Sequence, residues 1–161
     1  MTTPQYTLSG LIRAGTRALS SVPLVFGHGY ASAQDEAVLL TLHALGLAPD
    51  TPLDERTISV EGAARARTLI ETRITTRKPA AYLTHEAWLA GVRFYADERV
   101  IVPRSYLAEL LADDDLLLPP ANAVHHALDL CTGSGCLAVL LAKRYRKARI
   151  DATDISRDAL A

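Results

Sequence analysis

Between Asp129 and Gly135 the chain reads Asp-Leu-Cys-Thr-Gly-Ser-Gly, two glycines flanking a serine just ahead of an apolar run that starts at Cys136. Glycines so placed let the backbone turn sharply and pass close to a ligand at the N-terminus of a following helix. Asp154 stands 21 residues past Gly133; at the end of the next strand, its carboxylate can accept hydrogen bonds from both hydroxyls of a ribose. Read as Gly133-Ser134-Gly135-Cys136-Leu137-Ala138, the turn also matches the G-x-G-x-x-A dinucleotide fingerprint, so NAD and hydride transfer are one candidate chemistry. Asp129 argues for another. Its carboxylate repels a pyrophosphate but suits S-adenosylmethionine, which carries an ammonium and a sulfonium and no phosphate. The plainer alternative is a tight turn with Asp129 and Asp154 as solvated strand ends.

These residues need a scaffold that sets a turn between strand and helix. From Val124 the pattern predicts a short strand ending at Asp129 and Leu130, a helix from Cys136 to about Arg146, and a second strand from Arg149 to Asp154. That order is a βαβ unit with a parallel sheet. Ser156 then reads as the cap of a further helix. Ahead of this unit, Ala81 to Leu89 and Val92 to Val102 read as two strands of a hairpin around Ala90-Gly91. Ser105 caps a short helix through Leu107, Leu110 and Leu111, and Asp113-Asp114-Asp115 with Pro119-Pro120 interrupts regular structure.

From Leu8 to about Arg77 apolar residues recur at helical spacing and predict three helices. Ser32 and Asp35 have capping-box spacing, Glu36 adds negative charge at that helix start, and Gly46 supplies its stop. Pro49 and Pro52 mark a loop, and Pro79 requires the third helix to end before Lys78. The boundaries that result are a helical domain over 1–78, a hairpin and linker over 79–123, and an α/β segment over 124–161.

The 161 residues are 49% hydrophobic and 22% charged, a globular composition, and the net charge of −1 leaves no strong footprint for nucleic acid. The longest apolar run, Cys136 to Ala142, is far short of the roughly 18 residues that span a bilayer. The start lacks a basic segment followed by an apolar one, so a cytoplasmic location is the default expectation. Two cysteines, Cys131 and Cys136, make neither a disulfide scaffold nor a zinc site, and no metal is expected. His28, His43, His85, His125 and His126 are scattered and form no catalytic set. Trp88 reads as a packed aromatic, and Arg65, Arg67, Arg73 and Arg77 read as a solvated helix face rather than a surface for RNA.

Asp129 to Gly135 resembles the D-x-(G/C)-T-G-(S/T)-G donor motif of the class I methyltransferases that modify protein glutamine, the HemK/PrmC/PrmB family. Arg77-Lys78-Pro79-Ala80-Ala81-Tyr82-Leu83, then Trp88, Gly91, Phe94-Tyr95 and Val102-Pro103-Arg104, resemble the hairpin and the (I/V)-P-R element that precede that motif in the family. Cys-Thr-Gly-Ser-Gly-Cys and Asp97-Glu98-Arg99-Val100 are most similar to the branch that methylates a large-subunit ribosomal protein; the branch acting on peptide release factors usually has Gly where Cys131 stands. The likeness covers roughly residues 60 to 161 by motif, and the first 60 by helical character alone.

The resemblance implies an α/β enzyme: an N-terminal helical bundle for substrate recognition, a β-hairpin linker, then the first βαβ unit of a Rossmann-like domain that binds S-adenosylmethionine. It implies that Asp129, Cys131, Thr132, Gly133, Ser134 and Gly135 line the methionine end of the donor, and that Asp154 holds its ribose. Pro103 and Arg104 fall beside the donor site by the same carry-over, with a turn and a surface arginine as the alternative. The family's Asn-Pro-Pro-Tyr motif, which holds the glutamine amide, does not occur in the chain. The expectation is therefore an N-terminal fragment with no catalytic residue of its own, inactive alone, whose partner is a ribosomal protein or, alternatively, a release factor. Two other readings stay open: a non-catalytic binding module, and the NAD-dependent oxidoreductase.

Overall fold

The computed structural model describes residues 6–27, 29–112 and 118–161. His28 and Asp113-Asp114-Asp115 lie outside the described residues. The chain divides into two compact units, Met1–Thr84 and His85–Ala161.

Unit 1 holds the three expected helices, α1 (Leu8–Ser20), α2 (Ala33–Leu45) and α3 (Val60–Thr76), followed by a short α4 (Ala80–Thr84). Each long helix starts on a hydroxyl: Thr7, Ser32 and Ser59 accept from the backbone N–H three residues on, satisfying a donor that the helix itself cannot. Gly46 stops α2 at φ 67, the left-handed geometry that favours glycine. Leu19, Ala37, Leu40 and Ile70 form the core, with Leu24 and Phe26 packed against it. Two-residue strands, β1 (Tyr6–Thr7) and β2 (Thr57–Ile58), pair antiparallel and tie the start of α1 to the start of α3.

Unit 2 opens with a hairpin and closes with the βαβ unit. The hairpin strands are β3 (Ala87–Leu89) and β4 (Val92–Phe94), paired Trp88 to Arg93 about Ala90-Gly91. A short helix, α5 (Tyr106–Ala112), follows, with Ser105 accepting from Leu107 N–H at 3.2 Å. Then come β5 (His126–Leu130), α6 (Cys136–Arg144) and β6 (Arg149–Thr153). β5 and β6 are parallel, from His126 opposite Arg149 to Leu130 opposite Thr153. The molecule is thus mixed α/β, as expected.

Several expectations need correction. The first hairpin strand does not begin at Ala81, because Pro79 starts a helical turn in which its carbonyl accepts from Tyr82 N–H, and alanines have little strand preference. The second strand stops at Phe94 rather than Val102; Asp97 turns the chain there by accepting from Arg99 N–H. α6 ends at Arg144, not Arg146, because Tyr145 is buried at φ −105, ψ 64, outside the helical region. Trp88 is 44% exposed, its indole N–H donating to Glu86, so it is not a core aromatic. Arg73 is not on a solvated face: at 2% exposure it pairs with equally buried Glu36 at 2.7 Å and donates to the Val25 carbonyl. The other three arginines are exposed, as expected, and also make local contacts, Arg65 with the Ala44 carbonyl, Arg67 over the Tyr6 ring and Arg77 with the Pro23 carbonyl.

Candidate functional site

The turn between β5 and α6 lies at the C-terminal ends of the two parallel strands, where open α/β sheets take their ligands. It is built from the backbone outward. Thr132 N–H donates to the Thr153 carbonyl at 2.9 Å, continuing the β5–β6 ladder into the turn. Gly133 and Gly135 then take φ 56 and 74. A Cβ placed on either would meet no atom within 4 Å, so both glycines border open space. Cys131 also has positive φ, at 62, although it carries a side chain. That left-handed geometry is one a residue with a Cβ adopts only under strain.

Two carboxylates hold the turn from opposite sides. Asp129, 7% exposed, accepts through Oδ2 from Thr132 Oγ at 2.6 Å and from Ala138 N–H at 2.9 Å. The second bond places a carboxylate on the first turn of α6, where the helix dipole favours negative charge. Gly135, the cap residue, provides no side-chain acceptor of its own, so Asp129 does that work from the strand. Asp154 accepts from Gly133 N–H at 2.8 Å through Oδ2 and from Ser156 N–H at 2.9 Å through Oδ1. Those backbone donors, Ser156 first and then Gly133, hold its carboxyl below the usual carboxylate range. A carboxylate has about four acceptor positions, so Asp154 keeps room for hydroxyl donors of a ligand.

Cys136 is buried under the turn, with its sulfur 3.1 Å from Ser134 Oγ. Burial pushes its thiol up, the Ser134 contact opposes that, and the nearby Asp129 charge adds to it. It is a packing group rather than a nucleophile. Cys131 is exposed and free.

The structure therefore brings Asp129, Cys131, Thr132, Gly133, Ser134, Gly135 and Asp154 into one turn. Pro103 is buried and Arg104 exposed, and among the described residues no hydrogen bond joins either to that turn. The sequence pattern alone did not reveal that Ala138 N–H is already taken by Asp129; the signal was available, since a carboxylate at a strand end before a glycine turn can cap the next helix. Nor did it reveal how Ser156 shares Asp154, an Asx turn legible in Asp-Ile-Ser. A cavity of about 480 Å³ elsewhere in unit 2 is lined by residues such as Ala90, Ala108, Leu140 and Lys143 and by none of the turn. Among the described residues no group of three or more His, Cys, Asp or Glu side chains is placed to hold a metal ion, and no helix is long and apolar enough to cross a membrane.

The arrangement discriminates between ligands. A pyrophosphate bound at a helix N-terminus uses the free N–H groups of the first turn. Here a buried carboxylate already occupies one of them and adds a negative charge. The same charge attracts a cationic ligand end.

No protein-family model matches the chain. It is homologous over nearly all its length to curated proteins named ribosomal protein uL3 glutamine methyltransferase. It is 51% identical over 160 residues, 96% of this chain, to the one from Bordetella pertussis. It is 49% identical over 164 residues, 99% of this chain, to the one from Burkholderia pseudomallei, and 47% identical over 161 residues, 96% of this chain, to the one from Neisseria gonorrhoeae. The chain spans about half the length of these relatives, 53%, 53% and 52% respectively.

Proposed function

We propose that the protein to which these residues belong methylates the side-chain amide of a glutamine in ribosomal protein uL3, with S-adenosylmethionine as methyl donor. One observation carries the choice of donor: Asp129 Oδ2 lies 2.9 Å from Ala138 N, so an anion already occupies one N–H at the start of α6. That charge disfavours the two phosphates of NAD and favours the sulfonium and ammonium of the methyl donor. The names of the relatives support the acceptor, and favour a ribosomal protein over a release factor.

In this reading the βαβ unit is the beginning of a Rossmann-like domain. Cys131 to Gly135 would line the methionine end of the donor, in the open space beside Gly133 and Gly135. Asp154 accepts from the ribose hydroxyls with the lone pairs left by Gly133 and Ser156. Asp129 stays behind the turn, fixing its shape and supplying charge. Pro103 and Arg104 stand at the border of the site, and the helical unit recognises the protein substrate. When bound, S-adenosylmethionine supplies an electrophilic methyl group. An amide nitrogen is a weak nucleophile because its lone pair is delocalised, so the enzyme's task is alignment and stabilisation of the pyramidal nitrogen. The nitrogen would gain the methyl carbon as the carbon–sulfur bond breaks with its electrons left on sulfur, and the amide proton would be lost to water. The setting is the cytoplasm, where ribosomal proteins are made.

Calorimetric titration of the chain with S-adenosylmethionine, with NADH in parallel, tests the donor assignment. Saturable heat with the methyl donor alone is expected. Preference for NADH over the methyl donor overturns it.

A further inference from the structure

Between Asp129 and Asp151 the chain contains no acidic residue, and five of the seven residues from Lys143 to Arg149 are Lys or Arg. In a protein of net charge −1 this is a concentration of positive charge, and the helix dipole accounts for only part of it. Lys143 and Arg144 lie in the last turn of α6, but Arg146, Lys147 and Arg149 lie beyond it.

The turn that displays them is firmly held. Tyr145 is 3% exposed and anchors it, Ala148 N–H donates to the Tyr145 carbonyl at 2.9 Å, and Arg149 N–H donates to the His125 carbonyl at 2.9 Å. Lys143, Arg146, Lys147 and Arg149 are all exposed. Among the described residues, Lys143, Arg146 and Lys147 form no ion pair, and Arg149 has only an exposed contact with Asp151 at 3.1 Å, worth little in water. The patch sits at the N-terminal ends of β5 and β6, whereas the glycine turn is at their C-terminal ends. Five residues of strand separate the two, about 13 Å at the usual rise.

We propose that this patch binds the phosphate backbone of RNA. The inference goes beyond the methylation reading and uses a different end of the unit, but it takes its choice of polyanion from that reading, in which the acceptor is a ribosomal protein. An anionic membrane is the less suitable partner. Surface helices that enter a membrane need apolar side chains beside the charges, and no large apolar side chain is exposed between Leu140 and Asp154. Arginine planes and lysine points on a rigid turn instead match a chain of phosphates.

The test is fluorescence anisotropy of a labelled oligouridine against the whole chain across a salt series. Anionic phosphatidylserine vesicles form a second arm. Four phosphate contacts to a single strand give a log K against log salt slope of about −2.8, or about 50-fold weaker binding between 50 and 200 mM salt. The double variant Arg146→Gln/Lys147→Gln should halve that slope, leaving about a 7-fold loss over the same range. Arg13→Gln/Arg93→Gln, exposed cations outside the patch, should leave the slope as it is. Circular dichroism melts confirm that the variants fold. An unchanged slope in the patch variant, absence of RNA binding, or binding to vesicles in place of RNA each overturns the proposal. Donor titration is read separately, so a failure of the methylation reading leaves a different signature.

Discussion

Replacing Asp129 tests how the glycine turn is held. In Asp129→Ala both acceptor contacts vanish, leaving the Thr132 hydroxyl and the Ala138 N–H at the start of α6 without their partner. Hydrogen bonds to a charged group contribute about 1.5–3 kcal/mol each, and loss of the buried carboxylate recovers some desolvation, so a net cost of about 3 kcal/mol is expected. A unit of the size of His85–Ala161 holds roughly 4–12 kcal/mol in all, so the change removes a quarter or more of its stability. Asp129→Asn keeps an oxygen in the same place and should cost only about 1 kcal/mol, the difference between charged and neutral bonds. Trp88, the sole tryptophan, lies in this unit and reports its urea transition without signal from the helical one. With a slope near 1 kcal/mol per molar urea, the midpoint should fall by about 3 M for the alanine variant and about 1 M for the asparagine variant. Hydrogen exchange at the Ala138 amide should quicken in the alanine variant. Equal midpoints for all three proteins, or unchanged exchange at Ala138, would refute the view that Asp129 shapes the turn from behind.

Glu36→Ala strands a buried arginine and should cost unit 1 about 3–5 kcal/mol, whereas Glu36→Met/Arg73→Met should cost less than either single change; melts by far-UV circular dichroism decide this. Gly135→Ala puts a side chain at φ 74, a strain of about 1 kcal/mol, yet meets no protein atom, so its melting point should drop only slightly while affinity for the methyl donor drops tenfold or more by calorimetry. Acid should act through carboxyls held low in the fold. Arg99 lowers Asp97 to about 2, and backbone donors lower Asp154, so their contribution is full above the unfolded value of 3.8 and is lost as the pH falls through each lowered folded value. Melting points flat from pH 7 to about 4 and falling below that bear this out; a rise on acidification contradicts it.

What was legible in the chain was local. The glycines at 133 and 135, the strand ahead of them and the acidic residue at the next strand end describe one turn in successive residues, and the structure brings them together. Ser32 and Gly46 bracket α2 for the same reason. What was not legible depends on partners distant in sequence. Arg73 looks like any charge on a helix until Glu36, 37 residues away, is folded against it. The β1–β2 ladder has two residues per strand, too few to show a period. The segment after Pro79 resembled a strand by its neighbours, yet alanines at 80 and 81 favoured a helical turn packed on α2. Asp129 reads in the sequence as a charge near the ligand, but its second role, accepting from the helix that follows, appears only when strand and helix are placed together.

Mass spectrometry of ribosomal protein uL3 is the most direct test of the proposed activity. Cells with the intact gene for this protein should carry a methylated glutamine in uL3, and cells without it should carry the same glutamine unmodified, with methylation restored by the wild-type gene. A methylated glutamine that persists in the deletion strain would contradict the account.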